Sequence, residues 1–256
     1  VTDTVRVTLV GGPTALIEYG GLRLLTDPTF DPPGEQGNLT KLTGPAVGAS
    51  DLAPIDVVLL SHDQHADNLD DAGRALLADV PVVFTTSAAA ARLEANTQAL
   101  EPWQHIEIER PDAAPIVVYG VPAVHGPTGF DQASGPVIGF VLSAPESPTV
   151  YISGDNASLN VVEEIADNLG PIDGALLFCG RARVARIDAN LTLSGQKAAQ
   201  VAEILEPAWI VPVHTEGWAH FSEGVAEVVE AFEDYELEEM LVVVQPGETV
   251  ELETEW

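Results

Sequence analysis

Apolar and polar positions alternate over the first part of the chain and later change period. "RVTLVGG", "TALIEYG" and "LRLLTDP" alternate or run apolar, and Gly20-Gly21 between the last two is a hairpin turn signal. "IDVVLLS" (55–61) is apolar almost throughout, as expected of a strand covered on both faces. "AGRALLADV" and "SAAAARLEA" carry helical spacing on either side of the strand-like "PVVFTT". Three further strand-like runs follow: "IVVYGVPAVHG", "PVIGFVLSA" and "TVYISGD". Beyond Gly154 helix and strand alternate. "SLNVVEEIADNL" leads to "DGALLFCG", "SGQKAAQVAEILE" to "AWIVPVH", and an acidic helix to "EMLVVVQPG". Strands with two apolar faces need cover on both sides. The pattern therefore predicts an α/β, four-layer αβ/βα sandwich: two packed sheets, helices outside, residues 1–256 in one domain around one continuous core. The segment "TFDPPGEQGNLTKLTGPAVGAS" (29–50), rich in Pro and Gly, predicts a long loop of the kind that shapes a binding site.

Composition narrows the function. With 46% hydrophobic residues the chain can bury a sizeable core. No apolar run approaches the roughly 20 residues that span a bilayer, and "VTDTVRVTLV" alternates like a strand rather than a secretory leader. The one cysteine, Cys179, excludes an internal disulfide framework and reads as a small core residue, so a cytoplasmic location is expected. Ten basic against forty acidic residues give a formal charge of −30, which repels phosphate backbones and anionic membranes. The expected partner is a small-molecule substrate, with no nucleic acid and no membrane. The acid-rich "EGVAEVVEAFEDYELEE" (223–239) carries Val225, Val228, Val229 and Phe232 at helical spacing and predicts an amphipathic helix with a solvated face.

The candidate chemistry sits at strand ends. "LLSHDQHADNLDD" (59–71) puts His62, His65 and Asp67 directly behind an apolar run, and other runs end at Asp27, His125, Asp155 and His214. In α/β architectures ligand groups gather in the loops beyond strand termini at one sheet edge. Imidazole and carboxylate are the donors that Zn²⁺ or Mn²⁺ accepts, and two such ions about 3.5–4 Å apart need a bridging group. Without a cation the same carboxylates would repel one another. His105, in "WQHIEIER", lies away from this set and reads as structural. In "CGRARVARID" (179–188) Arg181, Arg183 and Arg186 follow the run "GALLF"; they either bind an anionic substrate or pair with the acidic surface.

The stretches "GGPTALIEYGGLRLLTDPTFD", "LLSHDQHADNLD", "AVHG", "YISGDN" and "VPVHTEGW" together resemble the metallo-β-lactamase superfamily. They are most similar to its branch of L-ascorbate-6-phosphate lactonase-like and N-acyl-phosphatidylethanolamine phospholipase D-like metal-dependent hydrolases. The resemblance implies the sandwich fold, one or two Zn or Mn ions at one sheet edge, and hydrolysis of a small-molecule ester, lactone, amide or phosphodiester by metal-activated water. It implies His62, His65, Asp67, His125, Asp155 and His214 as ligands, with Asp155 bridging. Asp67 would also orient the nucleophile or receive its proton. His220, six residues after His214, is a candidate acid or substrate contact. The chain departs twice from the family signature His-x-His-x-Asp-His. His62 and His65 are separated by two residues rather than one, so either the loop bulges and both bind, or Gln64 takes a ligand position and His65 only neighbours the site. Asn68 stands where the signature ends in His, and an amide oxygen is a poorer ligand, so a second ion is expected to be held more loosely. These departures motivate the alternative of a catalytically weakened member that binds metal or ligand without turnover.

Overall fold

The computed structural model describes residues 4–93, 96–110, 113–127 and 135–254. The first half runs β1 (Val5–Gly11), β2 (Thr14–Tyr19), β3 (Leu22–Thr26), β4 (Gly34–Gln36), β5 (Leu39–Lys41), β6 (Val57–Leu59), α1 (Asp71–Leu76), β7 (Val82–Thr85), α2 (Ser87–Leu93) and β8 (Thr97–Ala99). The second half runs β9 (His105–Arg110), β10 (Ala113–Pro122), β11 (Ile138–Ser143), β12 (Val150–Ile152), α3 (Leu159–Leu169), β13 (Gly174–Phe178), α4 (Gly195–Leu205), β14 (Trp209–Val213), α5 (Val225–Asp234) and β15 (Thr249–Leu252). A seven-stranded sheet has the order β15-β1-β2-β3-β6-β7-β8, and a six-stranded sheet the order β14-β13-β12-β11-β10-β9.

The two-residue period of each strand builds the layers. Val57 and Leu59 of β6 face the space between the sheets, where they meet Phe140, Ile152, Leu176 and Val211. Their neighbour Val58 points outward with Leu16, Leu25 and Val83, under Leu69 and Leu77. On the far side Tyr151, Ala175, Leu177 and Ile210 pack under Val162 and Ile165 of α3, Ala198 and Val201 of α4, and Phe232 of α5. Four layers result, as predicted. The core is not continuous, however. It divides into three clusters, because the sheets that bury both their faces also separate what lies on either side.

Three local expectations need correction. "EMLVVVQPG" is not a strand: Leu241 makes a single parallel bridge to Ile210, after which the chain leaves the six-stranded sheet, crosses the core edge through Val244, and pairs as β15 with β1 on the other sheet. The stretch 29–50 is not all loop, since β4 and β5 form a hairpin within it. "HIEIER" forms the edge strand β9, with residues alternately exposed and half-buried. The acidic segment is helical only over Val225–Asp234, burying Val228, Ala231 and Phe232. Among the described residues no helix is long and apolar enough to cross a membrane.

One buried carboxylate ties the hairpin region to the site. Asp70 caps α1 by accepting from Gly73 N at 2.8 Å, and also accepts from Phe30 N at 2.9 Å, Asp31 N at 2.7 Å and Lys41 Nζ at 2.9 Å. Four donors on one carboxylate hold β5 against the start of α1.

Candidate metal centre

Five strand ends converge at one edge. β3 and β6 run parallel in one sheet, as do β12, β13 and β14 in the other; β10 shares the direction of β12 because both are antiparallel to β11. Their C-terminal ends deliver Asp27, then His62 through Asn68, then His125, Asp155 and His214. The two sheets approach closely here. Gly154 has φ +53°, and a Cβ on it would stand 2.7 Å from Ile138 O and 2.9 Å from Ser61 Cβ, so the turn that presents Asp155 tolerates only glycine.

The donors form two groups that share one carboxylate. His62, His65, His125 and Asp155 have ligand atoms within 4.8 Å of one another, and so do Asp67, Asp155 and His214. His62 Nε2 lies 2.9 Å from His65 Nδ1, and Asp67 Oδ2 lies 3.3 Å from His214 Nε2 and 2.9 Å from His220 Nε2. Hydrogen bonds behind the imidazoles aim them. Ser61 Oγ donates to Asp27 Oδ2 at 2.7 Å and so accepts from His62 Nδ1 at 2.9 Å, which leaves the His62 Nε2 lone pair facing the cluster. His125 Nδ1 donates to Leu191 O at 2.8 Å with the same consequence. His214 lies between the rings of Phe178 and Phe221.

Electrostatics point the same way. Burial, reinforced by His65, lowers His62 to about 3, and burial also lowers His125, so both stay neutral and able to ligate. Burial would raise Asp67, but hydrogen bonds from His214 and His220 hold it well below the carboxylate range. Burial would likewise raise Asp155, yet the neighbouring His214, His125 and His62 keep it below normal. His214 goes up, the Asp155 and Asp67 carboxylates outweighing the lowering effect of burial. Asp155 Oδ2 is buried without a hydrogen-bond partner, 3.5 Å from His125 Nδ1 and 4.0 Å from His62 Nε2. An orphaned carboxylate oxygen beside two uncharged imidazoles is a poor hydrogen-bond network and a good donor set for a first-row divalent ion.

The remaining candidates separate. Gln64 is exposed and its Oε1 accepts from Asp63 N at 3.2 Å, whereas His65 joins the first donor group despite the extra residue. Asn68 is buried, donating from Nδ2 to Asp27 Oδ2 at 3.0 Å and Asp155 Oδ1 at 3.2 Å. It therefore faces the carboxylates with hydrogens rather than with its oxygen. Arg181 engages Glu223 and Asn190, and Arg183 engages Asp188. Neither lines the cavity over the donors, but Arg186 does. His105 is exposed on β9, beside Tyr119. Cys179 is fully buried, and burial pushes its thiol up. The orienting role of Asp27 and Ser61 was not anticipated, although both stand at the ends of apolar runs; Asp27 is raised to about 7 by burial, against the hydrogen bonds from Ser61.

The cavity above the donors holds about 430 Å³, with His65, Asp67, His125 and His220 at its floor and Leu39, Val184, Ile187 and Leu191 among its walls. A Beta-lactamase superfamily domain model matches residues 22–215. A UPF0173 metal-dependent hydrolase of Pelotomaculum thermopropionicum is 30% identical over 261 residues, covering 96% of this chain and 100% of that one. One of Pyrococcus abyssi is 27% identical over 254 residues, covering 97% and 100%. Among solved structures, an isothiocyanate hydrolase from Delia radicum gut bacteria superposes with TM-score 0.81 at 22% identity, over 96% of this chain and 98% of that one. A metallo hydrolase of Ignicoccus hospitalis does so with TM-score 0.72 at 20% identity, over 99% and 100%. At these identities the structural likeness speaks for the fold.

Proposed function

The chain belongs to the beta-lactamase superfamily of domains and, within it, to the UPF0173 metal-dependent hydrolases, and on that premise we propose that it is a metal-dependent hydrolase of small molecules. Its proposed target is an ester, lactone, amide or phosphodiester bond, as in the lactonase-like branch, and its proposed ions are Zn or Mn, one or two per chain. The chain is taken to act as one domain in the cytoplasm. The observation that carries the reading is the Asp155 carboxylate, which belongs to both donor groups while its Oδ2 is buried and unpaired.

His62, His65, His125 and Asp155 would hold one ion, and Asp67, Asp155 and His214 the other. A divalent ion there supplies Lewis-acid activation of water and of the carbonyl or phosphoryl oxygen. In the net reaction the oxygen of water bonds to the acyl or phosphoryl centre, the bond to the leaving group breaks, and the leaving group departs with a proton. Asp67, held ionised, is suited to accept a hydrogen bond from the attacking water and orient it. His220, at the cavity floor with its side chain only 11% exposed, is the proposed donor of the proton to the leaving group. Apolar walls exclude bulk water and strengthen these interactions.

Asn68 favours a second reading, a member with a weakened second ion position and little turnover, because its amide turns hydrogens to Asp27 and Asp155 instead of an oxygen to an ion. Stripping the protein with chelator, reloading Zn²⁺ or Mn²⁺, counting ions, and assaying 4-nitrophenyl acetate, a γ-lactone and bis-4-nitrophenyl phosphate separates the two. Metal-dependent cleavage of at least one probe is expected. A protein that takes up ions but cleaves none favours the second reading, and one that refuses both ions contradicts both.

A further inference from the structure

Arg186 stands apart from every other cation of the chain. The chain carries ten Lys and Arg against forty Asp and Glu, so a basic side chain is expected to find a carboxylate or carbonyl close by. Nine of the ten do. Arg6 and Arg23 pair with Glu18, Lys41 with Asp70, Arg92 with Asp63, Arg181 with Glu223 and Arg183 with Asp188. Arg74, Arg110 and Lys197 donate to backbone carbonyls. Among the described residues Arg186 has no hydrogen-bond or ion-pair partner, and it lines the cavity above the donor cluster. The two arginines before it in the same segment are engaged elsewhere, so this guanidinium alone offers its fork to the cavity.

Its surroundings describe the rest of the ligand. Between Arg186 and the polar floor, Leu39, Ala182, Val184, Ile187 and Leu191 present carbon to the cavity. Such a surface gains by burying an apolar body. Asp71 also lines the cavity, and with the −30 net charge it penalises a second negative charge on the ligand. A guanidinium matches a carboxylate in two parallel hydrogen bonds.

We propose that Arg186 is a specificity-determining residue, and that the substrate is a small monoanion: a hydrolysable bond, an apolar body, and a carboxylate distal to that bond which Arg186 holds. The inference rests on the metal-dependent hydrolase reading and names its substrate class. It departs from a sugar phosphate, whose dianionic head Asp71 and the −30 net charge disfavour.

The test uses matched probes on the metal-loaded protein. Mono-4-nitrophenyl adipate carries the distal carboxylate that 4-nitrophenyl hexanoate lacks, at equal chain length. Wild type is expected to favour the adipate ester by about 10-fold or more in kcat/KM, through KM. Arg186→Gln is expected to bring the ratio to within about two-fold of one, Arg186→Lys to retain part of it, and Arg6→Gln, a charge change on the far β1 surface, to leave it intact. The preference should shrink between low and high salt. Calorimetry with adipamic acid and hexanamide repeats the comparison as a binding measurement, with product analysis to establish that neither amide is cleaved. Equal affinity for the two amides in wild type, or an undiminished preference in Arg186→Gln, overturns the proposal. If neither ester is cleaved while adipamic acid still binds through Arg186, the hydrolysis of esters falls and the carboxylate subsite stands.

Discussion

The floor and the rim of the cavity answer to different demands. His62, Asp155 and His214, just beneath the floor residues His65, Asp67, His125 and His220, are fully buried at the ends of strands that the two-sheet core must hold in any case. Each imidazole of the first donor group that touches the core is aimed from behind, His62 by Ser61 and Asp27, His125 by the Leu191 carbonyl. The rim consists of the β4–β5 hairpin and the 182–191 segment, where Val184 and Ile187 are half-buried and Arg186 is exposed. Few core residues depend on it. Change at the floor therefore disturbs chemistry and packing together, whereas change at the rim alters what is bound. Reaction class belongs to the first region and substrate choice to the second.

The sharpest way to break this division is Asp155→Asn. One carboxylate serves both donor groups, so its loss is expected to abolish binding of every ion and to lower hydrolysis on the order of 10³-fold, read by elemental analysis and kcat/KM. His125→Ala and His214→Ala should each reduce bound metal, while His105→Ala on exposed β9 leaves it unchanged. Full metal content in both of the first two variants would contradict the assignment of the floor.

One layer beneath the donors a smaller effect has a defined sign. In the metal-free protein Asp27 is raised to about 7 and His62 lowered to about 3, each chiefly by burial. Between roughly pH 4 and 6.5 the unfolded chain has His62 protonated and Asp27 ionised, and the folded chain has the reverse. His62 alone makes stability fall as pH drops, because the unfolded state binds the extra proton. Asp27 alone makes stability rise as pH drops, because the folded state binds it. The two slopes, each about 1.4 kcal/mol per pH unit, cancel. Asp27→Asn removes one of them, so the metal-free variant should lose about 1.4 kcal/mol more than wild type on acidification from pH 6 to 5, measured by chemical denaturation. The same variant should bind metal about 10–100-fold more weakly, since Ser61 and through it His62 lose the carboxyl group that orients them. Parallel stability curves for the two proteins would refute the linkage.

At the rim, Ile187→Ser should lower kcat/KM for a hexanoyl ester about 10-fold through KM, with metal content unchanged. An equal fall in kcat with unchanged KM would mean that Ile187 belongs functionally to the floor.

Legibility in the sequence followed the same boundary. His62, Asp155 and His214 stood out because "VVLLS", "TVYISGD" and "WIVPVH" break abruptly from apolar strand to polar group, and only a buried edge explains that pattern at several separate places. The rim offered no such period. Arg181, Arg183 and Arg186 are alike in sequence, and only the path of their loop gives two of them carboxylates and leaves the third at the cavity. "EMLVVVQPG" looked like a strand because Val242 and Val244 are apolar, but they face the core while the chain passes from one sheet to the other. Asp27 stood among the strand-end groups, but its partnership with Ser61 spans 34 positions and leaves no local trace.

The smallest effect lies where floor and rim meet, between Gln64 and His65. The residues are adjacent, and the extra position in the loop makes either one a formal match to the family signature. His65 turns inward, with Nδ1 2.9 Å from His62 Nε2 and a place in the first donor group. Gln64 is exposed at the cavity lining, with its Oε1 accepting from Asp63 N and its side chain lying against Gly135. Truncation of the exposed Gln64 side chain removes one long hydrogen bond at a surface position, a change of about 0.5 kcal/mol. Gln64→Ala should therefore bind metal within about two-fold of wild type, as judged by competition with a chromogenic chelator. His65→Ala should weaken binding of the first group's ion by well over two-fold, because three donors then remain where four converge. The opposite result, metal lost from Gln64→Ala and kept by His65→Ala, would move the boundary by one residue and make the amide a ligand, with the loop unbulged.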